Sequence, residues 1–267
     1  MKAETKAFLL GIIGVPLVLA AIVLSVYGAE TGRVIGQLGA RAPMLLTGTA
    51  AAGSYSGGFA VNIIISFWSM AIAMVAGVAL GICLIAETAF VRVPAEIVMN
   101  ALRNSPWLVV LYAMLYLLPF EISVFGKLVE LSPTVKAIFG LALPVTANIA
   151  EVFRGGVQAI PTGQWESARS LGYRPLQILR YIVVPQAIPL MTPNLMTIYA
   201  MLFIGTSLVV VTGTADVLSV ARTVIGSDGA HLATAIYLFV LLLFFLFAFP
   251  IAIASRVLER RVGAVPT

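Results

Sequence analysis

The stretch GQWESARSLG, residues 163–172, is a polar segment in a chain of 267 residues that is otherwise strongly apolar. Pro161 precedes it, Glu166 stands in its first turn and Gly172 closes it, which is the pattern of a short helix with both ends marked. A second helix can begin at Pro175. The stretch therefore predicts a two-turn polar helix, followed by a glycine hinge and braced by a second helix.

The predicted helix is amphipathic. Trp165 and Ala168 lie on one side, and Glu166 and Arg169 are within i, i+3 reach of each other. A rigid helix of this kind suits docking into a groove on a soluble partner, with the tryptophan and small residues fitting the groove and the charges fixing the orientation. Composition leaves a second interpretation open, an ordinary solvated loop helix stabilised by its own salt bridge.

The remainder of the chain has the composition of a membrane protein. Apolar residues make up 61% of it and charged residues only 10%, whereas soluble domains carry about 25% charged residues. Uncharged runs of about 20 residues, the length that crosses a bilayer as a helix, recur along the chain. The sequence therefore predicts an all-α, polytopic transmembrane helical bundle in one compact membrane domain.

Charged residues separate six predicted spans. The N-terminal run is interpreted as a retained membrane helix, because its uncharged stretch from Ala7 to Ala29 exceeds the roughly 7 to 15 residues of a signal peptide's apolar region. The six spans cover residues 7–28, 59–86, 97–119, 135–153, 188–212 and 232–255.

Several segments carry irregularities. The third span contains Arg103 near one end, and the fourth is only just long enough to cross a bilayer. Residues 42–58 are uncharged, but their glycine and serine content predicts an interfacial or loop segment. The fifth span is predicted to enter the membrane bent, because three prolines recur every four residues at its start, at positions 185, 189 and 193.

The distribution of lysine and arginine predicts the orientation. A cytoplasmic N-terminus puts 11 of the 16 basic residues inside, the asymmetry that the positive-inside rule describes. Both termini and the loop 154–187, which contains the polar helix, are then cytoplasmic. The basic residues are scattered and do not follow a phosphate backbone, so no nucleic-acid partner is expected. The five outer residues are Arg33, Arg41, Lys127, Lys136 and Arg222.

The spacing within the polar loop resembles a known motif. Glu166, Ser167 and Ala168 are followed after three residues by Gly172, after nine more by Ile182 and after two more by Pro185. This resembles the EAA loop of the membrane subunits of bacterial binding-protein-dependent ABC importers.

The resemblance extends beyond the loop. EVFRGGVQAIPTGQWESARSLGYRPLQILRYIVVPQAIP, residues 151–189, is similar to the form of the loop in the polar amino acid permease family. LRNSPWLVVLYAMLYLLPF (102–120) and GTSLVVV (205–211) resemble two further segments of that family. The departures are Ser167 in the EAA triplet, Val184 before Pro185, and an Ile-Gly pair at 204–205 where the family often has Lys-Asp.

The resemblance implies a type I importer fold with a five-helix core over residues 59–258. An N-terminal transmembrane helix and periplasmic connection (1–58) precede it, and a cytoplasmic tail (259–267) follows. The resemblance also implies that the polar helix is the coupling helix, which sits in a cleft of a cytoplasmic ATPase. Its residues are Gln164, Trp165, Glu166, Ser167, Ala168, Arg169 and Gly172.

The function implied is that of a permease subunit for polar amino acids or related small solutes in the bacterial inner membrane. The implied partners are two copies of an ATPase subunit, a second permease subunit, identical or paralogous, and a periplasmic solute-binding protein. The chain lacks a G-x-x-x-x-G-K-[ST] phosphate loop, so ATP and Mg²⁺ are expected on the ATPase and no catalysis on this chain. One cysteine and one histidine offer no metal site.

The alternative function is an ion-coupled secondary transporter of small solutes. Such a protein is expected to carry buried carboxylates in its spans or inverted repeats of broken helices, and the sequence shows neither. A membrane-embedded enzyme would need a catalytic set such as HExxH or GxSxG, which is also missing from the sequence.

Polar side chains inside spans are candidates for the solute pathway, although bonds between helices explain most of them. Glu151 and Arg154 at the loop entrance form either a helix-end ion pair or a gate. Gly77 and Gly81 form a GxxxG motif, which either an internal helix pair or the subunit interface could use. The pathway candidates are Asn62, Ser66, Tyr112, Asn148, Thr206 and Ser207.

Overall fold

A computed structural model describes residues 3–49, 56–124 and 127–263. Its residues group into two compact units. Unit 1 comprises Met1–Ser69, Trp107–Leu141 and Ala200–Pro250, and unit 2 comprises Met70–Pro106, Ala142–Tyr199 and Ile251–Thr267. The division of the sequence into residues 1–58, 59–258 and 259–267 stays a prediction, and residues 264–267 of the tail lie outside the described residues.

Helices dominate the described residues, with one short β-hairpin between α5 and α6 that the sequence did not predict. The elements are α1 (Ala3–Tyr27), α2 (Thr31–Thr47), α3 (Gly58–Leu84), α4 (Ala89–Arg103), α5 (Trp107–Leu117), β1 (Glu121–Val124), β2 (Lys127–Glu130), α6 (Pro133–Gln158), α7 (Thr162–Ser170), α8 (Pro175–Ile178), α9 (Val184–Gly205), α10 (Val217–Asp228) and α11 (Ala233–Gly263).

The predicted all-α membrane fold is confirmed. Within the described residues, five helical segments are long and apolar enough to cross a membrane, and they overlap all the predicted spans except the third. These segments are Phe8–Thr47, Gly58–Leu84, Pro133–Gln158, Pro175–Thr212 and Ala230–Arg261.

The third predicted span, residues 97–119, is wrong as a single helix. α4 ends at Arg103 and α5, only 11 residues long, begins at Trp107. Pro106 disfavours helical geometry at the residue before it. The Asn104 and Ser105 side chains donate back to the carbonyls of Asn100 and Ala101, at 2.8 and 2.6 Å. The Ser105 hydroxyl satisfies a carbonyl that the end of α4 leaves free, and the Asn104 amide adds a second bond to the carbonyl that already accepts the Asn104 N–H. A helix break is therefore stable inside an apolar run.

Residues 42–58 were predicted to be interfacial or a loop, and a loop is wrong for the first part, because residues 42–47 belong to α2. Val34 and Leu45 are fully buried on one face of this helix, and their spacing is helical. α2 ends at Gly48, which has a φ of 79° and donates its N–H to the carbonyl of Met44. Residues 50–55 of the predicted loop lie outside the described residues.

α2 belongs to the core of unit 1, where it packs against α10 and α11. Arg41 donates two hydrogen bonds to the Asp228 carboxylate, at 2.7 and 2.6 Å, and these bonds lower the pKa of Asp228. The Tyr27 hydroxyl donates to the carbonyl of His231 at 2.7 Å and accepts the N–H of Ala235 at 3.2 Å. That N–H belongs to the first turn of α11, where helices lack internal acceptors.

The GxxxG motif lies at the contact between α3 and α6 in unit 2. A Cβ atom at Gly77 would come within 2.7 Å of the Ile149 side chain and 2.9 Å of the Thr146 carbonyl oxygen, and one at Gly81 within 2.7 Å of Phe153. The two glycines therefore serve an internal helix pair, which decides between the two uses that the sequence left open.

Lys136 is buried, although the charge distribution placed it in an outer loop. Its side chain has no exposed surface. The ammonium donates to the carbonyls of Leu115 and Leu118, at 3.1 and 2.9 Å, and lies 3.7 Å from the centre of the Phe120 ring. These carbonyls close the C-terminal end of α5, so Lys136 on α6 caps a helix that is too short to span a bilayer.

The fifth predicted span is continuous with the helix that was predicted to begin at Pro175. α8 runs through a π-turn, Leu179–Val183, directly into α9. Within that turn the N–H of Val184 donates to the carbonyl of Leu179, a wider hydrogen-bonded ring than the α-helix has. Pro189 and Pro193 lie inside α9.

Candidate coupling site

α7, Thr162–Ser170, follows Pro161 and ends before Gly172 as the sequence predicts, but Glu166 does not lie in its first turn, where the sequence placed it. Gly172 has a φ of 84° and follows the last turn. Its N–H donates to the carbonyl of Arg169 at 2.9 Å, and the N–H of Tyr173 donates to that of Ala168 at 3.2 Å. This pair of bonds is the Schellman motif, in which a left-handed glycine ends a helix at a defined residue.

One face of α7 packs on unit 2 itself. Ala168 is buried and Trp165 is half-buried, and both contact a cluster that includes Val157, Ile160 and Ile178. The sequence predicted that Trp165 and Ala168 would fit a partner's groove, but in the structure they hold α7 onto its own core. The exposed face consists of Gln164, Glu166, Ser167 and Arg169.

Arg169 pairs with Glu87 rather than with Glu166. Its guanidinium lies 3.6 Å from the Glu87 carboxylate, and both side chains are mostly exposed. An exposed pair of this kind contributes about 1 kcal/mol or less, so it orients α7 against the α3–α4 turn more than it stabilises the unit. Sequence reasoning missed Glu87, although it is the first charge after the uncharged run 42–86.

Two open grooves flank Trp165. The first, of about 380 Å³, is lined by residues that include Leu84, Arg92 and Gln158. The second, of about 340 Å³, lies between the α3–α4 turn, α7 and α8. Beside the second groove Leu176 is 70% exposed, and Leu171, just before the glycine hinge, is 78% exposed.

The loop entrance contains a bidentate ion pair. Arg154 donates to both oxygens of Glu151, at 3.0 and 2.7 Å. Arg103, at the end of α4, lies 3.8 Å from the same carboxylate. Glu151 thus links α6 to α4, which agrees with the ion-pair interpretation, and a gate role stays a prediction.

Three pathway candidates are fully buried in unit 1. Asn62 donates to the carbonyl and hydroxyl oxygens of Thr206, at 3.3 and 3.1 Å, and its own carbonyl accepts the N–H of Val217 at 3.0 Å. Ser66 donates to the carbonyl of Ile63. Asn62 thus joins α3 to Thr206 and Val217, whereas Ser66 bonds within α3. Because the side chains of Asn62, Ser66 and Thr206 have no exposed surface, none of the three is open to a solute in this structure.

The other three candidates are partly exposed. Asn148, in unit 2, donates to the carbonyl of Pro144 at 3.0 Å. In unit 1, Tyr112 is 40% exposed and stacks on Tyr116, and Ser207 is half-buried. The structure therefore brings Asn62 and Thr206 into contact within unit 1, and Ser207 follows Thr206 directly in the chain.

A family model described as the inner membrane component of binding-protein-dependent transport systems matches residues 73–264. The chain belongs to this family. With its five long apolar helical segments, it is a multi-pass inner-membrane permease. α1 and α2 precede the matched region, yet they contribute to the core of unit 1.

Curated relatives of the permease carry related names. The inner membrane amino-acid ABC transporter permease protein YhdY of Escherichia coli K12 is 32% identical over 77% of this chain, which spans 55% of that relative's length. The probable glutamine ABC transporter permease protein GlnP of Bacillus subtilis is 30% identical over 76% of the chain and 91% of its own length.

A solved structure has the same fold. The crystal structure of an amino acid ABC transporter with histidines superposes with a TM-score of 0.64, covering 76% of this chain and 92% of the other at 24% identity. Across the residues that the structure of the permease describes, no group of three or more His, Cys, Asp or Glu side chains comes together as a metal site.

Asn62→Ala is expected to destabilise the permease without changing how it handles solute. The variant leaves the buried N–H of Val217 without its acceptor, which costs about 1–3 kcal/mol. Thermal unfolding of the detergent-solubilised protein should show a lower Tm, whereas Ser207→Ala, at a half-buried position, should leave Tm near that of the wild type. If Asn62→Ala has a normal Tm but an altered solute preference, Asn62 contacts the solute pathway and its role is not structural.

Proposed function

We propose that this chain is the permease subunit of an ABC importer and forms the translocation pathway for polar amino acids or related small solutes. The observation that carries the proposal is α7. It is a short helix with a defined end, packed on its own core through Trp165 and Ala168 and presenting a polar face, within the region that matches the permease family. The names of the relatives support an amino acid as the solute.

In this proposal α7 is the coupling helix. A separate ATPase subunit, present in two copies, binds ATP and Mg²⁺ and receives the exposed face formed by Gln164, Glu166, Ser167 and Arg169. Because Trp165 and Ala168 are packed inward, movement of α7 is transmitted to the cluster beneath it rather than absorbed by a flexible loop. The Schellman end at Gly172 fixes the point at which the chain turns back towards the membrane.

The proposal includes an orientation and two further partners. Both termini and the loop 154–187 are cytoplasmic, supported by the bias of basic residues towards that side. A second permease subunit, identical or paralogous, completes the pathway, and a periplasmic solute-binding protein delivers the solute. Gly77 and Gly81 are occupied by the α3–α6 contact, so the two permease subunits meet through other surfaces.

Glu166→Lys tests the proposal. Reversing a charge on the exposed face of α7 should lower co-purification of the ATPase about tenfold or more, the loss expected when a central contact residue fails. Solute-stimulated ATP hydrolysis should fall with it. Glu259→Lys, an equally exposed reversal at the end of α11, is the matched control and should leave both unchanged.

If Glu166→Lys retains both the ATPase and solute-stimulated hydrolysis, the assignment of α7 is wrong. Solute uptake into proteoliposomes separates the proposal from the ion-coupled alternative. Uptake should require ATP and the ATPase subunit. Uptake by the chain alone, driven by a proton or sodium gradient, would establish the alternative.

A further inference from the structure

The second groove beside Trp165, called here the α7 groove, has walls from three segments. The α3–α4 turn contributes Glu87 and Thr88, α7 contributes Trp165 and Arg169, and α8 contributes Pro175 and Leu176. Its volume of about 340 Å³ exceeds the roughly 150 Å³ of an apolar cavity that holds benzene. The groove is therefore large enough for a bulky apolar side chain.

The α7 groove combines an apolar floor with a charged rim. Its apolar lining residues are Leu179, which is buried, Ile85, which is half-buried, and Ile82, which is exposed. Glu87 and Arg169, which are 82% and 59% exposed, form an ion pair at its edge. A pocket with an apolar base inside a polar rim is the usual setting of an anchor residue in a protein–protein interface.

Two leucines are exposed next to the groove. Leu171 and Leu176 stand on either side of Gly172, and each exposes more than two-thirds of its surface. A single exposed leucine is ordinary, but Leu176 lines an apolar groove and Leu171 exposes apolar surface at the end of α7. This pair, called here the patch, is of the kind that marks an interaction surface. The patch adjoins the exposed face of α7.

We propose that the ATPase subunit and this permease each insert a part into the other. The polar face of α7 seats in the ATPase, and an apolar side chain of the ATPase seats in the α7 groove, against Leu176 and near Leu171. The inference rests on the proposed function and adds a second docking element to it. The patch is continuous with the coupling face, and its exposed Glu87–Arg169 rim complements the polar surround of a protein anchor better than it does a lipid chain.

The reciprocal contact has a mechanical result. The groove walls belong to the α3–α4 turn, α7 and α8, so a side chain wedged between them makes the three segments move together. Without that wedge, the exposed Glu87–Arg169 pair, at 3.6 Å, is a weak tie between α7 and the turn.

Filling the groove tests the inference. Thr88 is exposed and its side chain makes no capping hydrogen bond at the start of α4, so Thr88→Trp should fold normally while occupying the groove. Leu176→Gln removes the exposed apolar wall. Gln158→Trp places the same bulk in the other groove, at an exposed position, and is the matched control.

The measurements are the Kd of the purified ATPase subunit for each full-length permease variant in detergent and the Tm of each variant alone. Thr88→Trp and Leu176→Gln should raise the Kd about tenfold. Gln158→Trp should leave it unchanged, and all three should unfold at the wild-type Tm.

Other outcomes overturn the inference in distinguishable ways. Wild-type affinity in Thr88→Trp and Leu176→Gln, with binding lost in Glu166→Lys, removes the groove contact and leaves the proposed function intact. Wild-type affinity in Thr88→Trp, Leu176→Gln and Glu166→Lys alike also removes the proposed assignment of α7 as the coupling helix. An equal loss in Gln158→Trp, or a change in co-purified phospholipid at constant ATPase affinity, shows that the groove is not an ATPase contact.

Discussion

Gly77→Leu is expected to abolish the close packing of α3 on α6 and to leave a permease that unfolds about 10 °C lower, or that fails to accumulate. The added side chain begins 2.9 Å from the backbone carbonyl oxygen of Thr146, which cannot move aside as a flexible side chain could. Overpacking of a well-packed contact costs about 1–3 kcal/mol and occasionally more. For a chain of this size, 3 kcal/mol lowers Tm by roughly 10 °C.

Gly14→Leu is the matched control, because a side chain at Gly14 meets no atom within 4 Å. Gly77→Ala should fall between the wild type and Gly77→Leu, since the first added carbon already lies 2.7 Å from Ile149. Thermal unfolding in detergent measures all three variants. A wild-type Tm for Gly77→Leu, combined with loss of the subunit pair, would show that the motif faces the second subunit instead.

Lys136→Met is the second change with a large expected effect, and it should lower the free energy of unfolding by about 3 kcal/mol. The methionine occupies similar space, but it leaves the carbonyls of Leu115 and Leu118 without their donor, and each unsatisfied buried group costs about 1–3 kcal/mol. Removing the ammonium also removes the cost of burying a charge, which offsets part of the loss. The expected order of Tm is wild type, then Lys136→Gln, which keeps one donor, then Lys136→Met.

The same unfolding measurement can contradict this prediction. If Lys136→Met is as stable as the wild type, the desolvation of the ammonium cancels what its hydrogen bonds contribute. Arg222→Met, at an exposed basic residue of α10 in the same unit, provides the control for a general effect of charge loss.

Hydropathy predicted the spans well where each helix is uniform, and it failed where backbone detail decides. Averaged over residues 97–119, the chain looks continuous, but Pro106 and two back-bonding side chains break the helix there. α2 was missed for the opposite reason. The glycines and serines from residue 48 onward suggested an interfacial segment or a loop over 42–58, whereas Val34 and Leu45 are buried on the face of a helix that continues to Thr47.

The candidate coupling site shows a similar division. Helix signals placed α7 correctly because capping is local, and Gly172 carries that information in the sequence. The partners of its side chains are not local. The sequence contains no signal that Arg169 would reach Glu87, 82 positions earlier in the chain, or that Trp165 would face inward. The burial of Lys136 was missed for the same reason, since a count of basic residues on each side does not register a lysine that caps α5.

The π-turn at Leu179–Val183 sets the angular phase between α8 and α9. A π-turn holds one residue more than a turn of α-helix, and each α-helical residue rotates the chain by about 100°. Deleting one residue of the turn would therefore swing Leu176 and the rest of α8 by about a quarter of a revolution around the axis of α9. The nine-residue interval between Gly172 and Ile182 therefore fixes the direction in which the coupling loop faces relative to α9, and the loop keeps that direction when α9 rotates.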